Sequence, residues 1–196
     1  MRDWVKERVS GQRADSDPNW PVNGEISTSG EMLRSAAVLV PLVDREDGMT
    51  VLLTRRTATL PKHAGQISFP GGKVAPGETA PETTALRETH EEIGVPASSV
   101  ELVGRLAVRD TSTGFRVAPV VGFLTPPFDI VEEPSEVASV FEVPLDFVCD
   151  PGNHRIDRRW VQGAHREFRA MPYGDYYIWG LTARILHELS QILGDE

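Results

Sequence analysis
The sequence predicts an α/β fold, and three segments carry that prediction. Residues 36–43 (AAVLVPLV) are a continuous apolar run, as expected of a strand buried on both faces. Residues 79–94 read as a helix with both ends marked. Thr79 and Glu82 suit a capping box, Pro81 the first turn and Gly94 the C′ position. The segment 176–193 sets Ile178, Leu181, Ile185, Leu189 and Ile192 on one helical stripe, the pattern of an amphipathic helix covering a sheet.

The remaining elements follow in chain order. Residues 1–34 are polar and turn-rich and predict a short helix over about 2–9 followed by a loosely packed arm. The globular domain is expected over 35–193. Asp47-Gly48 is a turn signal, and 50–54 is the returning strand. A basic segment, 55–66, leads to a glycine turn at Gly71-Gly72. Residues 100–109 and 115–124 read as strands, 126–134 as a loop, 144–148 as a short helix and 154–171 as a hairpin.

Composition narrows the function. A chain of 196 residues buries about 70% of its unfolded surface and needs no staple to fold. Its single cysteine, Cys149, excludes an intrachain disulfide framework and a Cys-rich zinc site, and is expected as a small core residue. No apolar run approaches the roughly 20 residues that span a bilayer, and the charged N-terminus has no signal-peptide core. A cytoplasmic protein with no membrane partner is expected. The net charge of −9 argues against sequence-independent nucleic-acid binding, which rests on Lys and Arg. It leaves open a phosphate-bearing small molecule, because bound divalent cations invert the field of an acidic site. No nucleophile elbow and no phosphate-binding P-loop occurs.

The predicted helix over 79–94 is the most informative segment. Projected at about 100° per residue from Ala85, Thr89, Ile93 and Leu86 fall within about 100° of it and form the buried face. Glu91, Glu88 and Glu92 fall at about 240°, 300° and 340° and form an acidic stripe beside it. Glu88 and Glu92 are an i,i+4 pair, mildly repulsive if left alone. The stripe is expected to find no relieving cation on its own helix. Hard divalent ions take carboxylate oxygens of this kind, and a solvated helix face is the other reading. His90, at about 140°, points away from Glu88 and Glu92.

The stretch GGKVAPGETAPETTALRETHEEIGV, residues 71–95, resembles the Nudix box, G-x5-E-x7-R-E-U-x-E-E-x-G-U, where U is aliphatic. Gly72, Glu78, Arg87, Glu88, Glu91, Glu92, Gly94 and Val95 match its fixed positions. Eight residues rather than seven separate Glu78 from Arg87, and Thr89 stands at an aliphatic position. The resemblance implies the Nudix α/β/α sandwich, a mixed sheet between helices with the box as its loop-helix-loop edge. It implies hydrolysis of a nucleoside diphosphate linked to another moiety. Glu88 and Glu92, with Glu91, would be metal ligands for Mg²⁺ or Mn²⁺, and the Gly71–Gly72 turn would offer a carbonyl. Glu78, Arg87 and Gly94 would be structural.

Residues 52–72, LLTRRTATLPKHAGQISFPGG, resemble the signature of the coenzyme A diphosphatase branch, L-L-T-x-R-[SA]-x3-R-x3-G-x3-F-P-G-G. Leu52, Leu53, Thr54, Arg56, Gly65, Phe69, Pro70, Gly71 and Gly72 match; Thr57 and Pro61 depart from it. Segments 134–145 and 176–186 look like the same branch. The implied reaction cleaves coenzyme A or acyl-coenzyme A to 3′,5′-ADP and 4′-phosphopantetheine. Arg55, Arg56, Lys62 and His63 form a basic segment expected to bind substrate, including its 3′-phosphate. A solvated strand end is the plainer account of Arg55 and Arg56. Glu136, among Glu132, Glu133 and Glu136, is the candidate for a further carboxylate, as ligand or base. Arg155, Arg158, Arg159, His165 and Arg166 read as exposed hairpin residues. Other Nudix substrates, such as ADP-ribose, dinucleoside polyphosphates or oxidised nucleotides, remain the alternative, and a non-catalytic nucleotide-binding domain the remoter one. The expected assembly is a monomer or homodimer.

Overall fold
The computed structural model describes residues 1–11, 20–21, 25–26, 32–59, 63–161 and 164–194. Among them, strands β1 (Arg34–Arg45), β2 (Gly48–Arg56), β3 (Ile67–Ser68), β4 (Gly71–Lys73), β5 (Val100–Arg105), β6 (Arg109–Asp110), β7 (Phe115–Leu124) and β8 (Val137–Pro144) form one mixed sheet. Its main path runs β3-β2-β1-β7-β5, with β4 added to β1, β6 to β7 and β8 to β2. The pairing of β1 with β7 is parallel and the others are antiparallel. A second sheet orders β11 (Tyr176–Trp179), β10 (Ala164–Tyr173) and β9 (Arg155–Val161).

The apolar run of β1 is buried on both faces, as its sequence predicts. Ala37 and Leu39 pack with Ala118, Val120 and Ala85 of helix α2 (Pro81–Ile93). Val40 and Leu42 point the other way. There they meet Val5 and Val9 of α1 (Arg2–Gly11), Leu145 and Val148 of α3 (Leu145–Cys149), and Ile185 and Leu189 of α4 (Gly180–Gly194). The layers are therefore helix, mixed sheet, helix. Each fully buried Leu or Ile in these clusters contributes about 1.5–3 kcal/mol relative to exposure. No helix among the described residues is long and apolar enough to cross a membrane.

Several expectations are corrected. The predicted strand over 100–109 is two pieces, β5 and β6, and 137–144, to which the sequence assigned no element, is strand β8. The segment 176–179 is β11, and the helix starts only at Gly180, whose φ of +66° ends the strand. The aromatic and β-branched run Tyr176-Tyr177-Ile178-Trp179 suits a pleated surface better than a helix. Ile178 therefore reaches the core from a strand, and Thr182, Ala183, Leu186 and Leu193 join Ile185 and Leu189 on the buried face of α4. The capping box of α2 does not form. Ala80 is the N-cap without a side-chain bond, and Glu82 instead accepts from Arg105 at 2.5 and 2.8 Å. The other end of α2 is as predicted: Gly94 takes φ +74° and donates to the carbonyl of His90 at 2.9 Å.

Candidate active site
The burial of α2 is rotated from the sequence projection. Thr84, Ala85, Thr89, Glu92 and Ile93 are buried, while Leu86 is only half-buried. One member of the acidic stripe, Glu92, thus turns inward and is 3% exposed. It accepts the backbone N–H of Gly71 at 3.2 Å, and Arg56 Nη1 lies 3.8 Å from its Oε1. Burial pushes its carboxyl up to about 8, with the nearby charges of Glu136 and Glu88 adding to the rise. Arg56 does not fully answer that charge, for its Nε is buried with no hydrogen-bond partner.

Glu88 lies one turn back, against the glycine turn. A Cβ at Gly72 would fall on the Glu88 carboxylate, so only glycine admits it there. Desolvation raises the Glu88 pKa, and its bond to Arg87 partly opposes this. Arg87 corrects the expectation that α2 carries no relieving cation. Its Nη1 reaches Glu88 at 2.9 Å and Glu91, its i,i+4 partner, at 2.8 Å.

Arg87 also donates from Nε to Glu78 at 2.7 Å and from Nη2 to the carbonyl of Lys73 at 2.9 Å. Glu78 further accepts from Thr84 Oγ1 at 2.6 Å and from the N–H of Ala75 at 2.8 Å. These donors, Arg87 first, hold its carboxyl at about 2. The extra residue between Glu78 and Arg87 is thus accommodated with the pair made. Thr84, which no motif position indicated, closes the network.

Glu91 is exposed on the rim, tied to Arg87. Glu136 is exposed on the loop before β8, and its charge acts on both Glu88 and Glu92. Glu132 and Glu133 are engaged locally, by the N–H of Val140 at 2.9 Å and by Ser135 Oγ at 2.8 Å. His90 is exposed, and Cys149 is half-buried beside the core.

The basic segment is divided by the alternation of β2. Arg56 lines a cavity of about 840 Å³ together with His63, whose Nδ1 is 2.9 Å from Gln66 Oε1. Arg55 faces the other way and lines a separate cavity of about 420 Å³ with Tyr176 and Trp179. Lys62 lies outside the described residues. Arg34 and Lys73, which the sequence reading did not single out, line the larger cavity with Arg56. They meet there through strand pairing, which leaves no local signal.

The donor set suits a hard divalent cation: carboxylate oxygens from Glu88 and Glu92, with the charge of Glu136 beside them, and a carbonyl-bearing glycine turn. A buried, incompletely answered carboxylate beside a turn with no Cβ fits such an ion. Among the described residues no three acidic, histidine or cysteine side chains are already closed into a metal-binding group.

A model of the NUDIX domain matches residues 32–169. The chain is 43% identical over 161 residues to "Uncharacterized Nudix hydrolase NudL" of Photorhabdus laumondii, covering 81% of this chain and 84% of that one. It is 42% identical over 176 residues to a protein of the same name from Cronobacter sakazakii, covering 88% and 89%. Among solved structures, the Nudix hydrolase RenU of M. smegmatis is similar, with a TM-score of 0.53 and 25% identity over 65% of this chain and 84% of that one. The glycine turn, the Glu78–Arg87 network and the paired carboxylates of α2 are therefore those of a family member: the chain belongs to the Nudix family, as a hydrolase acting on the pyrophosphate bond of a nucleotide-derived substrate.

Proposed function
We propose that the substrate is coenzyme A or an acyl-coenzyme A, cleaved at its diphosphate to 3′,5′-ADP and 4′-phosphopantetheine with Mg²⁺ or Mn²⁺. The observation that carries this reading is the union of two features: paired carboxylates at the glycine turn and a cation-lined cavity opening beside them. The first suits a phosphoanhydride, and the second suits a substrate with more negative charge than the anhydride alone. Likeness of residues 52–72 to the coenzyme A diphosphatase signature supports it.

Glu88 and Glu92 are the ligands in this reading, with Glu91 as third carboxylate and the Gly71–Gly72 turn offering a carbonyl. An ion held there would supply charge neutralisation of the anhydride oxygens and an activated water. Arg87 orients Glu88 and Glu91, and Glu78 orients Arg87. Arg56 meets the substrate's diphosphate through the part of its side chain that lines the cavity. Glu136 takes the proton of the attacking water as general base. The water oxygen bonds to one phosphorus, the bridging P–O bond breaks, and two phosphomonoesters leave. Structural roles go to Glu78, Arg87 and Gly94.

The test is a substrate panel with products identified by mass. The protein is incubated with Mg²⁺ or Mn²⁺ and coenzyme A, ADP-ribose, diadenosine tetraphosphate or an oxidised nucleoside triphosphate. Formation of 3′,5′-ADP and 4′-phosphopantetheine as the fastest reaction is expected. Faster cleavage of ADP-ribose or a dinucleoside polyphosphate would overturn the coenzyme A reading and leave the family assignment intact.

A further inference from the structure
We propose that the larger cavity is a second anion subsite, in which Arg34 and Lys73 bind a phosphomonoester carried by the substrate away from the bond that is cut. This rests on the reading of a diphosphate substrate at Glu88 and Glu92. It moves recognition of the second phosphate from segment 55–63 to two residues that lie outside the matched motif positions.

The charge of the cavity is the first argument. The chain carries a net charge of −9, yet none of the described residues lining this cavity is acidic. Arg34, Arg56, Lys73 and His63 face it, beside Thr113 and Phe115. Its volume of about 840 Å³ is that of a small-molecule site.

The second argument is that the cations are held in place without being neutralised. Arg34 opens β1 and pairs with Phe115 of β7. Its guanidinium carbon sits 4.1 Å from the centre of the Phe115 ring, and Nη2 donates to the carbonyl of Thr113 at 3.3 Å. Lys73 pairs with Ala36, so it lies on the same face of β1 as Arg34, one pleat away. The backbone of Lys73 is fixed by Arg87, the guanidinium that also binds Glu88. Neither Arg34 nor Lys73 has an acidic partner among the described residues.

Position relative to the carboxylates is the third. Gly72 pairs with Ala37 and faces Glu88, whereas its neighbour Lys73 faces the opposite side. Arg56 belongs to both sides, 3.8 Å from Glu92 and on the cavity wall. A ligand spanning β4 would therefore place one anionic group by Glu88 and Glu92 and another by Arg34 and Lys73. A phosphomonoester carries about −1.5 to −2 at neutral pH, which matches two cations better than a single carboxylate does. Arg offers a planar fork to its oxygens and Lys a point charge.

Calorimetric titration with 3′,5′-ADP and with 5′-AMP tests the subsite without any turnover, since the two ligands differ only by the 3′-phosphate. Wild type should bind 3′,5′-ADP roughly ten- to a hundredfold more tightly. Arg34→Gln and Lys73→Gln should each shrink that ratio toward one, and Arg34→Lys should restore part of it. A folding defect would weaken both ligands and leave the ratio alone. Equal affinities in wild type, or a ratio that survives in both Gln variants, overturns the subsite. If the ratio behaves as expected while coenzyme A is not cleaved, the subsite stands and the substrate reading fails.

Discussion
Two sides of one short strand differ in charge and in burial. On the Gly72 side of β4, Glu92 is 3% exposed and answered by one N–H and a guanidinium 3.8 Å away. On the Lys73 side, Arg34 and Lys73 stand at an open cavity and are themselves exposed. Burial makes the acidic side costly to ionise without a cation, whereas the basic side is solvated and needs no ligand to be stable. In the proposed reading the first side is completed by an ion, and the second chooses among anions. One side should govern rate, and the other preference.

Breaking the acidic side should give the largest effect. Glu92→Gln and Glu88→Gln should each lower turnover by roughly 10²- to 10⁴-fold, because metal-held charge stabilisation is worth several kcal/mol. Steady-state rates at saturating Mg²⁺ check this, and near-normal rates in both variants would remove the site assignment. Glu136→Gln should cost less, on the order of a hundredfold, as expected for a general base. Its loss should exceed that of Glu132→Gln or Glu133→Gln, whose carboxylates are engaged by Val140 and Ser135. Equal small losses in all three would return that loop to a solvated surface.

A smaller effect appears in stability. In the metal-free protein Glu92 titrates near 8 instead of 4.5, so its ionisation opposes folding. That opposition is absent below its unfolded value of 4.5, grows as pH rises, and is complete above about 8. Without metal, Glu92→Gln should raise the urea midpoint at pH 8 and show a shrinking advantage toward pH 4.5. Added Mg²⁺ should narrow the gap at pH 8 by stabilising wild type. A gap independent of pH would mean that Glu92 is not the titrating group.

The acidic side was legible in the sequence because it is local. Spacing puts Glu88 and Glu92 on one helix face, and the resemblance of residues 71–95 to the Nudix box adds Gly72 to them. The rotation of α2 that buries Glu92 was not legible, since a hydrophobicity projection assigns every Glu to solvent. The parting of Arg55 from Arg56 has a similar source: charge composition groups the two, and strand alternation sends them to different cavities. Arg34 and Lys73 meet through the pairing of β1 with β4, between residues far apart in the chain. Layering and most strands followed from apolar runs, while β11 was hidden because Ile178 fits both a helical stripe and a strand.

The division of labour is tested most directly by kcat/KM of Glu92→Gln on coenzyme A and on dephospho-coenzyme A. In this account Glu92 serves the bond that is cut, and the preference rests on Arg34 and Lys73, so both values should fall by the same large factor. Their ratio should then match that of wild type, whereas Arg34→Gln should collapse it. A Glu92→Gln enzyme that loses the preference along with the rate would contradict the account, because one region would then be performing both tasks.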